Sequence, residues 1–186
     1  MSFMFNPFPY DDPNAINRID AKGINTASVS VGNDSVRKAF VAIVKKGGVI
    51  ALDGYTTAPF DAVLALAGDV RKIAVSSVLK SPAELRELFR DNLPEDRKKD
   101  PVLLYGKLFK AGYAGMFDPV KLAELKKTLD EVKKSGETLI LWGFGALSEE
   151  LYPYADTRIF CDITPKRAVL NIKKGGFRNL GSDEDM

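Results

Sequence analysis

No histidine occurs anywhere in the 186 residues, and that absence removes more chemistry than any motif adds. It takes away the commonest general base, the commonest metal ligand and every Ser-His or Cys-His nucleophile arrangement. Cysteine is nearly as scarce: Cys161 stands alone, which excludes an internal disulfide and fits a reducing compartment. Without histidine and with one thiol, a zinc site has almost no ligands, and only an oxygen-ligand site for magnesium or calcium is left. No apolar run approaches the roughly 20 residues of a membrane helix. Residues 1–13 lack any basic residue and are interrupted by Pro7, Pro9 and Pro13, so they do not read as a signal peptide. The expected location is cytoplasmic. Charge of one sign is missing too: 27 basic and 25 acidic residues leave a net +2, giving no reason to expect nucleic acid or an anionic membrane as partner.

What the chain has is 45% hydrophobic residues in alternating strand-like and helix-like runs, enough for one domain with a sizeable core. Residues 1–25 read as an arm rich in proline and aromatics, pinned by Phe3, Phe5, Phe8 and Tyr10. Residues 26–181 read as a single α/β domain, and 182–186 as a linker or cut end. Residues 26–31 alternate as a short edge strand, and Asn33-Asp34-Ser35 offers a cap to a helix carrying Val36, Phe40, Ile43 and Val44. Gly48 onward is a buried strand, with a second at 73–78, a third at 138–142 and a fourth at 158–162. Between them, Ser81-Pro82-Ala83-Glu84 is a capping box. Asp118-Pro119 opens a helix lined by Leu122, Leu125, Leu129 and Val132. A short helix leads to Pro153, and Thr164-Pro165 opens a last one with Ala168, Val169 and Ile172. Arg97-Lys98-Lys99 is a solvated run. The predicted fold is a mostly parallel sheet covered by helices on both faces, with strand C-termini gathered where ligands of such sheets bind.

The first strand runs into Asp53-Gly54-Tyr55-Thr56-Thr57 and then a helix, the layout of a P-loop, whose amides cradle phosphate and whose lysine reaches the outer phosphates. Counting from Gly54, however, Pro59 holds the second glycine position, Phe60 the lysine position and Asp61 the hydroxyl position. Two readings stay open: weak phosphate or sugar-phosphate binding through the remaining N–H and hydroxyl donors, or a tight connection capped by Thr57 and started by Pro59. Trp142 and Gly143 end the third strand and complete the candidate ligand site, although core filling explains Trp142 equally well. Gly143-Phe144-Gly145 has two of the glycines of a dinucleotide fingerprint, with Ser148 where the third belongs, so close backbone packing accounts for it as well. Lys107, Lys110, Arg158, Lys166, Arg167 and Arg178 either converge on an anion or are ordinary surface charge. Lys107 and Arg167 are the cations assigned to the candidate site. Cys161 reads as a core thiol. No catalytic residue, metal ligand or cofactor is assigned.

The strand, altered loop and helix, the helix opened by Asp118-Pro119 and the terminal strand ending in Asp162 together resemble a small P-loop kinase of the uridine-kinase-like group that lost its Walker lysine. More narrowly, five strings resemble the N-terminal domain of bacterial class I mannose-6-phosphate isomerase-type proteins. They are Phe5-Asn6-Pro7, Tyr10-Asp11-Asp12-Pro13, Asp53-Gly54-Tyr55, Tyr154-Ala155-Asp156 and Asn179-Leu180-Gly181. In that family the metal-dependent isomerisation belongs to a histidine-bearing cupin domain, so none of its catalytic residues maps here. The resemblance implies an accessory, non-catalytic domain serving a cupin isomerase in cis or in trans, with a phosphorylated small molecule as weak ligand. The alternatives are a phosphotransferase using a displaced lysine such as Lys107, and a pure docking or oligomerisation module.

Overall fold

The structure, a computed structural model, describes residues 29–55, 57–92 and 109–175. The expected arm at 1–25, the charged run at 97–99 and the end at 182–186 lie outside the described residues. Four parallel strands form one sheet in the order β2-β3-β1-β4: β1 Gly48–Gly54, β2 Arg71–Ala74, β3 Thr138–Trp142 and β4 Thr157–Cys161. The expected α/β architecture is what the chain adopts.

Period-2 alternation divides the apolar residues of β1 and β3 between two cores. On one face Ile50, Leu52 and Ile140 meet Phe40 and Val44 of α1 (Asn33–Lys46), Leu64 of α2 (Phe60–Leu64) and Ala67 of the 3₁₀ turn Ala65–Ala67. On the other, Val49, Ala51, Leu139 and Leu141 meet Leu125, Leu129 and Val132 of α4 (Pro119–Ser135), with Val75, Val78 and Leu151. Because both faces are covered, β1 is buried at six of its seven positions. Each fully buried leucine or isoleucine contributes about 1.5–3 kcal/mol through the water it leaves.

The helices begin and end where local chemistry directs. Asp118 accepts from the N–H groups of Val120 at 2.9 Å and Lys121 at 3.0 Å, and Gly136 closes α4 in the left-handed region with its N–H on the Val132 carbonyl. Ser81 and Glu84 form the expected reciprocal box at the start of α3 (Pro82–Phe89). Thr164 caps α5 (Pro165–Lys173) through the Arg167 N–H.

Five expectations need correction. Residues 29–31 form no strand, and Val29 and Val31 are exposed; two alternating valines leading into Gly32 have no partner ladder among the described residues. Gly32, not the Asn33-Asp34-Ser35 hydroxyl and amide groups, occupies the N-cap of α1, and no side chain caps it. The second strand ends at Ala74. There Ser77 Oγ donates to the Ala74 carbonyl at 2.7 Å and a 3₁₀ turn over Val75–Val78 buries both valines, a spacing that suits the tighter turn. Ahead of Pro153 the chain makes successive turns and a 3₁₀ turn at Tyr152–Tyr154 in place of a helix. β4 is Thr157–Cys161, one residue earlier than read, leaving Asp162 just past its end.

β1 and β3 are neighbours whose outgoing chains depart to opposite faces, β1 into α2 and β3 into the turn bearing Ala146 and Leu151. Between their ends lies the switch point at which such sheets open a crevice.

Candidate functional site at the C-terminal edge of the sheet

Asp53 sits in that crevice, 7% exposed, and its carboxylate is fully engaged by backbone. Oδ1 accepts from Gly54 N–H at 2.7 Å and from Gly145 N–H at 3.2 Å, while Oδ2 accepts from Leu147 N–H at 2.8 Å. Amides converging on an anion at a glycine turn are the means by which such turns bind phosphate. Here the anion belongs to the chain itself. Gly143 N–H donates to the Leu52 carbonyl at 3.0 Å, drawing the same turn against β1. Gly145 adopts φ +92°, and a Cβ there would lie 2.9 Å from the Tyr113 ring, so both the backbone and the space call for glycine. Close packing thus accounts for Gly145, whereas Gly143 has room for a Cβ and owes its place to a φ of +108°.

The loop after β1 is closed in the same manner. Tyr55 N–H donates to the Cys161 carbonyl at 3.0 Å, Ala58 N–H to the Tyr55 carbonyl at 2.9 Å, and Phe60 N–H to the Ala58 carbonyl at 2.8 Å. With Gly54 N–H on Asp53 and no N–H on Pro59, Thr57 is the one described residue of the loop whose amide donates to no acceptor among the described residues. A Cβ at Gly54 would meet the Cys161 carbonyl oxygen at 2.8 Å and Ala58 and Phe60 at 3.0 Å. Phe60, in the lysine position, thus fills the loop's interior and packs on Trp142, with ring centroids 5.9 Å apart. Asp61, in the hydroxyl position, is exposed.

Of the residues assigned to the site from sequence, Asp53, Gly54, Trp142 and Gly143 come together, and Trp142 joins the core on the α1 face. Tyr55 stands beside them, half exposed. Thr56 and Lys107 lie outside the described residues, as does Arg178. Thr57 does not cap α2, whose N-cap is Pro59 with no side-chain bond. It sits in the left-handed region at φ +66°, and Asn171 of α5 donates through Nδ2 to its carbonyl and its hydroxyl, both at 3.4 Å. Arg167 is exposed on the first turn of α5, and the Arg158 guanidinium carbon lies 3.9 Å from the centre of the Tyr152 ring; neither approaches Asp53 through a described contact. Tyr113 belongs to no motif in the sequence, yet its ring occupies the space a Cβ at Gly145 would need.

Two groups sense the buried carboxylate. Burial, then the Asp53 charge, pushes the Cys161 thiol above its ordinary 9.0 and the Tyr113 phenol above its ordinary 10.0. Both shifts favour the neutral forms. Among the described residues no cluster of three or more acidic, cysteine or histidine side chains is placed to hold a metal ion, and no helix is long and apolar enough to cross a membrane.

Residues 33–186 match the family model described as a domain of unknown function, DUF8485, and the chain belongs to that family. No curated protein and no solved structure matches it.

Proposed function

We propose that this chain is a non-catalytic, kinase-like α/β domain in which the loop after β1 works as an internal joint, and that it serves as the accessory part of a sugar-phosphate isomerase of the cupin class. The observation that carries the first half is the state of the loop's donors. The amides of Gly54, Tyr55, Ala58 and Phe60 already donate within the chain, and Phe60 occupies the place of the phosphate-gripping lysine. Nothing on the loop neutralises a transferring phosphoryl group, which phosphotransfer requires. The five strings that resemble mannose-6-phosphate isomerase-type proteins support the second half.

Isothermal titration with Mg-ATP, mannose 6-phosphate and fructose 6-phosphate tests the loop. The expected result is no saturable heat up to about 1 mM ligand, a limit corresponding to about 4 kcal/mol of binding free energy. Saturable Mg-ATP binding in the micromolar range, accompanied by ADP release, would overturn this reading in favour of a phosphotransferase.

A further inference from the structure

We propose that β4 is an interaction edge for a second copy of this chain, the two β4 strands pairing antiparallel about a twofold axis at Phe160. The inference concerns a different part of the sheet from the loop and holds whatever that loop binds.

Among the described residues β4 is the outer strand beside β1. The Cys161 carbonyl accepts from Tyr55, so the odd-numbered residues of β4 direct their backbone groups at β1. By alternation, the N–H and C=O groups of Arg158 and Phe160 point off the sheet, in position to bond another strand. Edges of this kind are templates for pairing unless covered or blunted. This one carries Phe160, 58% exposed, at the fourth of its five positions.

The register follows from the side chains. Arg158 pairs with Ala51 and Phe160 with Asp53, so both project from the α4 face, and Asp162, whose Oδ1 accepts from the Ile163 N–H at 2.8 Å, is the first residue past the strand. A twofold at Phe160 sets Arg158 opposite the second copy's Asp162, Phe160 opposite Phe160, and Asp162 opposite Arg158. Opposite charges then flank an aromatic pair, a combination that stabilises antiparallel strands. Moving the axis one residue to Ile159 would bring Asp162 against Asp156, two like charges. Parallel pairing would set Arg158 beside Arg158. Neither Arg158 nor Asp162 forms an ion pair among the described residues, and the Arg158 guanidinium carbon lies 3.9 Å from the centre of the Tyr152 ring. A five-residue strand offers a small interface, so the dimer is weak and concentration-dependent.

Sedimentation equilibrium of the full chain, from micromolar to about 1 mM, is the test. The expected result is a monomer–dimer equilibrium that Arg158→Asp or Asp162→Arg each weakens at least about tenfold, by setting like charges opposite one another. The double swap, Arg158→Asp with Asp162→Arg, exchanges the partners and returns the affinity to within about threefold of the wild type. A chain monomeric throughout overturns the proposal. So does a dimer indifferent to Arg158→Asp, or a double swap that fails to recover while circular dichroism shows it folded.

Discussion

Asp53 joins the ends of β1 and β3 by three backbone N–H donors, two of them more than ninety residues away in sequence. Replacing it with alanine leaves the Gly145 and Leu147 amides in a crevice without their acceptor. Asp53→Ala should therefore cost about 3 kcal/mol in urea unfolding, with Asp53→Asn, which keeps one acceptor oxygen, costing less. The same charge shapes the pH response. Cys161 and Tyr113 have raised values in the folded state, first from burial and then from Asp53, so the native chain keeps protons that the unfolded chain gives up. Their contribution is complete below the unfolded thiol's 9.0 and is lost as pH climbs through the raised folded values. The Tm should fall across that alkaline range, and Cys161→Ser should flatten the first part of the fall.

Elements whose start signals lie within a few neighbouring residues were the legible ones. Ser81 to Glu84, Asp118-Pro119 and Thr164-Pro165 all cap the helices they announce, since a cap needs only three or four adjacent groups. Ser81→Ala should cost about 1 kcal/mol by thermal or urea unfolding. Glu84, held below its ordinary 4.5 chiefly by its bond to the Ser81 side chain, adds to the cap above its unfolded value and loses that contribution as pH falls through the folded one. Elements without such a start signal differ from the pattern read in the sequence. The second strand stops early because Ser77 bonds backwards, and residues 29–31 pair with nothing described. The glycine turn after β3 resembled a nucleotide fingerprint because its actual occupant, Asp53, lies outside any local window. Lysine's absence from the loop was plain in the sequence. That phenylalanine would plug the space and that the amides would turn inward required the fold.

Across the whole molecule, stability concentrates on β1. It has a strand on each side and a core on each face, and Asp156 accepts from the Val49 N–H at 2.8 Å, joining its first residues to the start of β4. Native-state hydrogen exchange should find the amides of Val49 to Leu52 slowest, opening only with global unfolding, and those of β2, exposed at its first two positions, markedly faster. Alternation and apolar runs made the layered architecture predictable, because both are properties of short windows repeated along the chain.

Thr57 carries a consequence for how the chain assembles. A β-branched residue in the left-handed region is under strain, and the side chain steadying it arrives from α5, 114 residues further along. The bend after the first strand is thus latched from the far end of the fold: a chain lacking α5 should keep its four paired strands while that corner loses the group that holds it.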